Sequence, residues 1–231
     1  MKDKEVVTLA VDIGGTGLKM LCLDEKGKPL TERLRTPTPN PATPGRLLMA
    51  LDKLRAQMPA FDRVSVGYPG VIKRGVVLTA VNLHPKWVGY SLQAALQKRW
   101  KKPVRVANDA AVQGLGAVSG HGIELILTLG TGMGSCLFVD GHMCPLELGH
   151  HPWRKKTYED YLGIRGLKKY GKKKWNKLLE RAIAQTAAAF NWDHLYLGGG
   201  NTKYIRMKAR PEVTIVSNLD GLLGGVALWR D

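Results

Sequence analysis

The sequence predicts an α/β protein made of two halves of related design. Strand-like apolar runs alternate with segments of helical periodicity along the chain, which is the pattern of an α/β architecture. One apolar run ends in Asp12, passes through a glycine turn from Gly14 to Gly17, and continues into a second run from Lys19 to Leu23. The same strand–turn–strand pattern returns 116 positions later, where Gly14 falls on Gly130, Leu21 on Leu137 and Asp24 on Asp140. A recurrence of this kind marks an internal repeat.

The elements follow in order. Val6–Ile13 and Lys19–Leu23 are strands, and Asp24–Gly27 is a turn before an edge strand that ends at Arg35. Thr36–Pro44 holds four prolines and is an ordered connection. Leu47, Leu48, Leu51 and Leu54 have helical spacing. Arg63–Gly67 is a strand ending in Gly67-Tyr-Pro-Gly70, and Val76–Ala80 is another. Ser91 caps a helix through Trp100. Pro103–Ala107 is a strand that delivers Asn108 and Asp109 to a helix over 110–118. After the repeat, Glu147–Pro152 is a polar loop, and Thr157-Tyr-Glu-Asp160 has the form of a capping box. Lys172–Phe190 is the clearest helix, with Trp175, Leu178, Leu179, Ala182, Ile183 and Thr186 on one face. Asp193–Leu197 is a strand ending in Gly198-Gly-Gly200, before a helix near Asn201. Val213–Val216 is the last strand and Leu219–Trp229 a closing helix. The expected domains are a smaller N-terminal one over 1–107, with 219–231 packed back on it, and a larger one over 108–218.

Composition narrows the class. No apolar run approaches the ~20 residues that span a bilayer, and Met1-Lys-Asp-Lys-Glu5 lacks a signal peptide's features. The three cysteines, Cys22, Cys136 and Cys144, fit a reducing cytoplasm and no disulfide framework. Lys and Arg number 35 against 19 Asp and Glu, a net charge of +16 that calls for an anionic partner. Lys168, Lys169, Lys172, Lys173, Lys174 and Lys177 form a dense basic run, either a solvated helix face or a track for a polyanion. Motifs that read nucleic acid are missing, so polyphosphate ranks above RNA or DNA.

Three glycine turns at strand ends carry the chemistry: Gly14–Gly17, Gly130–Gly134 and Gly198–Gly200. Such turns let backbone N–H groups approach an anion, and ligands of α/β folds gather beyond the C-terminal ends of strands. The first two suit phosphates; the third suits a ribose, an adenine or a terminal phosphate. By itself the first is equally a β-hairpin turn. Asp12 is placed to hold a metal or order water, and Lys19 either reaches a phosphate or ends its strand in solvent. Asn108-Asp109 has two readings: a base with its orienting partner, or an ordinary helix cap. Glu147-Leu-Gly-His150 suits the hydroxyls of a sugar, or is a surface turn. His142, Cys144, His150 and His151 lack the spacing of a zinc site.

These segments together resemble the ROK sugar kinases of the actin-like ATPase superfamily, and more narrowly the short polyphosphate glucokinases. Asp12-Ile-Gly-Gly-Thr-Gly-Leu-Lys19 and Leu129-Gly-Thr-Gly-Met-Gly-Ser135 resemble the two phosphate motifs. Gly67-Tyr-Pro-Gly-Val71 and Thr79-Ala-Val-Asn82 with Trp87 resemble sugar-side segments. Asn108-Asp-Ala110 resembles the catalytic-base motif, Glu147-Leu-Gly-His150 the sugar-clamping loop, and Leu197-Gly-Gly-Gly-Asn201 the adenosine motif. One departure stands out: most of the family carries a zinc-binding cysteine cluster after the clamping loop, where this chain reads His151-Pro-Trp-Arg-Lys-Lys-Thr-Tyr-Glu159.

The resemblance implies two ribonuclease-H-like (actin-like ATPase) domains flanking a substrate cleft, and a cytoplasmic glucokinase using polyphosphate, ATP or both. It implies Asp109 as base, and Asn82, Asn108, Glu147, His150 and Glu159 on the sugar. Asp12, Gly14, Gly15, Thr16, Lys19, Gly130, Thr131, Gly132, Gly198, Gly199 and Gly200 are expected at phosphate or nucleotide, and Lys172, Lys173 and Lys174 along a polyanion. Mg²⁺ is expected near Asp12, with no structural zinc. The expected partners are glucose and the donor, with no nucleic acid, no membrane and a homodimer as the assembly. The alternatives are an ATP-dependent ROK kinase for another hexose and a non-catalytic sugar-binding regulator.

Overall fold

The computed structural model describes residues 5–80, 82–216, 222 and 224–230. They form two compact units, one from the described residues of 1–116 and 221–231, the other from those of 117–220.

The first unit is built on five strands. β1 (Thr8–Ile13) and β2 (Gly17–Leu23) form a hairpin whose turn is the first glycine stretch, and β3 (Leu34–Pro37) pairs antiparallel on the outer side of β2. α1 (Pro44–Arg55) starts with proline at its first position, where the missing N–H costs nothing, and buries the four leucines that the spacing selects. β4 (Arg63–Tyr68) runs parallel to β1. A short hairpin of β5 (Ile72–Lys73) and β6 (Val76–Val77) follows, in place of the longer strand expected over 76–80. α2 (Leu92–Trp100) leads to β7 (Val104–Asn108), parallel to β4, and then to α3 (Asp109–Leu115). The sheet order is β3-β2-β1-β4-β7.

Strand alternation divides the burial. Leu9, Val11 and Ile13 of β1 face the core with Leu47, Leu51, Trp87 and Leu96. Ala10, Leu21 and Leu23 point to the opposite face, where Leu222 and Val226 cover them. The returning segment is fixed there by three hydrogen bonds. The Ser65 hydroxyl donates to Gly225 O at 2.5 Å, Arg105 donates to Leu228 O at 2.5 Å, and the Trp229 indole donates to Ser65 Oγ at 2.8 Å. The Trp229 ring also meets the guanidinium groups of Arg63 and Arg105 at 5.2 and 4.7 Å. Of the closing helix expected over 219–229, positions 219–221 and 223 lie outside the described residues; the end is a 3₁₀ turn, Ala227–Trp229.

The second unit repeats the plan. β8 (Ile123–Leu129), β9 (Met133–Val139) and β10 (His142–Leu146) form an antiparallel meander. β11 (Pro152–Trp153) and β12 (Lys156–Thr157) make a small hairpin, followed by α4 (Tyr158–Leu162) with the capping box the sequence shows. α5 (Ile164–Phe190) contains a break at Gly171 (φ 70°, ψ 161°), so its second part begins at Lys172, where the periodicity begins. β13 (His194–Gly198) pairs parallel to β8, and β14 (Val213–Ile215) pairs parallel to β13. The order is β10-β9-β8-β13-β14, the counterpart of the first unit's order strand for strand. β2 and β9 have seven residues each and are offset by the 116 positions of the repeat. The core gathers Leu125, Leu127, Leu129, Trp175, Leu179, Ile183, Leu195 and Leu197. Trp175 sits inside the lysine run but is fully buried, its indole N–H donating to Leu162 O at 3.0 Å.

No helix expected near Asn201 forms as an α-helix. The chain makes a three-residue 3₁₀ turn, Thr202–Tyr204, because Asn201 is tied back to β8 through its own N–H to Leu129 O at 2.9 Å. The third glycine turn therefore has no helix N-terminus behind it.

Candidate active site

The first glycine turn is closed by Gly14 N donating to Gly17 O at 3.0 Å and braced by the Thr38 hydroxyl on Gly14 O at 2.5 Å. A side chain at Gly14 would meet the Gly17 carbonyl at 2.9 Å, so glycine is required there. Gly15 and Thr16 are exposed. A Cβ on Gly15 would lie 3.2 Å from Asn82 Cβ, which places Asn82 beside the turn. At its base Asp12 and Lys19 are cross-strand partners, with Nζ 2.7 Å from Oδ2. Both side chains remain about one-quarter exposed, at 27% and 29%.

Asn108 and Asp109 stand where β7 becomes α3. The Asn108 side-chain oxygen accepts from Ala110 N at 2.8 Å and Ala111 N at 3.3 Å, and its amide donates to Gly70 O at 3.2 Å. Asp109 Oδ1 accepts from Ala110 N at 2.8 Å. The capping reading of Asn108 is therefore realised, and it holds Asp109 at the first helical position, half-buried.

In the second unit the structure brings three residues of the sugar reading together. His150 Nδ1 lies 3.7 Å from Glu147 Oε2, and its Nε2 lies 3.9 Å from Glu159 Oε2. Glu159 is buried, with its carboxylate against the second glycine turn: Met133 N donates to Oε2 at 3.3 Å. Its other oxygen faces Arg165 Nη2 at 3.4 Å, a partner that sequence spacing does not single out. Burial pushes the Glu147 carboxyl above its ordinary value; His150 opposes that shift and Glu159 adds to it.

The second and third turns meet each other. Gly130 N donates to Gly132 O at 3.0 Å, the Asn201 side-chain amide donates to Gly130 O at 2.8 Å, and Ile164 N at the start of α5 donates to Gly130 O at 2.9 Å. Gly199 has φ 91°, a conformation that side chains rarely adopt, and packs on the Leu129 backbone. Thr131 and Gly200 are exposed, and Gly198 is buried in its strand.

The lysine run is split by the aromatic rings it touches. Lys172 and Lys203 both lie over Tyr204, at 5.1 and 5.2 Å, and Lys169 and Lys174 lie over Tyr170, at 5.6 and 5.2 Å. Buried Asn176 holds the first pair in place, donating to Lys172 O and Tyr204 O and accepting from Arg206 N. Lys203 and Asn176 are missed by sequence reasoning because they lie on separate segments that only the fold joins. Lys173 is exposed. Among the described residues no group of three or more His, Cys, Asp or Glu is arranged to hold a metal ion. No described helix is long and apolar enough to cross a membrane.

The doubled sheet order is that of the actin-like ATPase fold. Residues 8–157 match the ROK family, and the chain belongs to that family. It is 28% identical over 219 residues to the polyphosphate glucokinase of Mycobacterium tuberculosis, covering 90% of this chain and 81% of that one. It is 30% identical over 200 residues to the glucokinase of Streptomyces coelicolor, covering 76% of this chain and 62% of that one. Among solved structures, the inorganic polyphosphate/ATP-glucomannokinase of Arthrobacter sp. strain KM superposes with a TM-score of 0.86 at 32% identity, over 97% of this chain and 98% of the other. These relatives are phosphotransferases, and this chain is an enzyme of their class.

Proposed function

We propose that the enzyme transfers the terminal phosphoryl group of polyphosphate, of ATP or of both to the 6-hydroxyl of glucose. The observation that carries this reading is the convergence of Glu147, His150 and Glu159 beside the second glycine turn. Two acceptor carboxylates around an imidazole suit adjacent sugar hydroxyls; Asn82 and Asn108 are proposed as further sugar ligands. Asp109, held at a helix start, takes the proton of the attacking hydroxyl. The backbone N–H groups of the glycine turns take the phosphates. Phosphoryl transfer depends on positioning and on charge neutralisation, so one base and such cradles suffice on the protein's side.

Mg²⁺ fits this site as an ion that arrives with the donor. Asp12 offers one carboxylate, already paired with Lys19, and Mg²⁺ is commonly held by one or two carboxylates with substrate phosphates and water. Bound there, it would neutralise charge on the donor phosphates.

The net charge of +16 and the lysines grouped at Tyr204 and Tyr170 favour polyphosphate; the third glycine turn keeps ATP as a donor. The same reading places the enzyme in the cytoplasm, as a homodimer without nucleic-acid or membrane partners. The deciding experiment is a coupled assay of glucose phosphorylation with ATP and with polyphosphate side by side, in Mg²⁺. Glucose-dependent consumption of at least one donor is expected; consumption of neither refutes the proposal.

A further inference from the structure

His150 and Glu159 are separated in sequence by the β11–β12 hairpin, and the fold returns them to 3.9 Å. That hairpin has two residues per strand and turns through Arg154 at φ 57°. A ladder so short has no independent stability. Its one buried side chain is Trp153, 4% exposed. The Trp153 ring stacks on Tyr158 at 4.7 Å with 7° between planes, and meets Tyr161 edge-on at 5.2 Å. Its indole N–H donates to the Gln185 side chain on α5. Tyr158 immediately precedes Glu159, so the stack joins the hairpin to the turn of α4 that carries this carboxylate.

We propose that Trp153 is a positioning residue for the acceptor sugar: through Tyr158 and Gln185 it fixes the spacing of Glu159 and His150. The inference rests on the reading of Glu147, His150 and Glu159 as sugar ligands. Trp153 lies on a different element from Asp109, so its loss acts on sugar affinity and leaves the proton-transfer step alone.

The test compares full-length wild type with Trp153→Leu and Trp153→Phe. Displacing a held group, or removing what orients it, costs about 10- to 100-fold, so the leucine variant should raise the glucose KM by that factor with kcat and donor KM near wild type. Phenylalanine keeps the ring stack and loses only the indole bond to Gln185, so its glucose KM should fall between those of wild type and the leucine variant. Amide hydrogen exchange without sugar or donor should quicken over 147–162 in the leucine variant and stay unchanged over 8–23. The exchange arm is independent of the sugar reading: faster exchange in a protein whose wild type turns over no sugar refutes that reading and not the tie. An unchanged glucose KM in an active leucine variant, equal losses in every kinetic constant, or unchanged exchange overturns the proposal. If the leucine variant does not fold, Gln185→Leu, at an exposed position, should shift glucose KM in the same direction; no shift there overturns it equally.

Discussion

Lys19 Nζ lies 2.7 Å from Asp12 Oδ2, and the two residues face each other directly across β1 and β2. Lys19 is thus neither a free strand end nor an unengaged phosphate ligand; its ammonium is committed to a carboxylate beside the first glycine turn. A pair this exposed contributes about 1 kcal/mol or less. Lys19→Met should therefore leave the unfolding midpoint nearly unchanged in denaturant titrations. If the turn holds donor phosphate, the same variant raises the donor KM and leaves the glucose KM alone.

Asp109→Asn should nearly abolish turnover, by about 10²- to 10⁴-fold, the range for loss of a general base. Asparagine keeps an oxygen for the Ala110 N–H, so helix α3 survives. Calorimetry should show glucose binding close to wild type. Near-normal turnover would remove Asp109 from the role of base.

Charge reversal at Lys172, Lys173 and Lys174 should raise the apparent KM for long-chain polyphosphate more than that for ATP. The effect should shrink with added salt, because exposed charges are screened beyond about 10 Å at 0.1 M. Equal effects on both donors would leave the run as a solvated helix face.

Glu124 gives a pH-dependent stability. It is 1% exposed and accepts from Ser119 N at 2.7 Å, Gly120 N at 2.9 Å and the Tyr196 hydroxyl at 2.9 Å. Burial pushes its carboxyl up, but these hydrogen bonds outweigh burial and leave it below the ordinary value. A carboxyl lowered by folding stabilises fully above its unfolded value, about 4.3, and loses that contribution as pH falls toward the folded value. Glu124→Gln should lower the thermal midpoint at pH 7, and the gap from wild type should narrow as the pH falls below the ordinary carboxyl value of about 4.3.

Local signals made much of this legible. The repeat at 116 positions places β2 on β9, and the Thr157–Asp160 capping box and the helix from Lys172 appear where their residues call for them. What stayed hidden depends on partners distant in sequence. Trp153 has no assigned role in the sequence and acquires one only where Tyr158, Tyr161 and Gln185 surround it. Glu124 carries no local signal, because Tyr196, 72 positions away, helps satisfy it. Asn201 offers no sign that it will bond back to β8 and forestall a helix.

The Trp229 segment has a consequence for biosynthesis. The bond from Ser65 to Gly225 spans 160 positions, and Leu222 and Val226 shield the side chains that β1 and β2 present on that face. A ribosome releases the first unit's strands long before it makes their cover. Domains ordinarily finish in the order of synthesis; here the unit begun first is completed last. Until then Ala10, Leu21 and Leu23 wait uncovered, so a chain cut short before residue 222 would leave translation with a sticky sheet even though every strand of that unit is present.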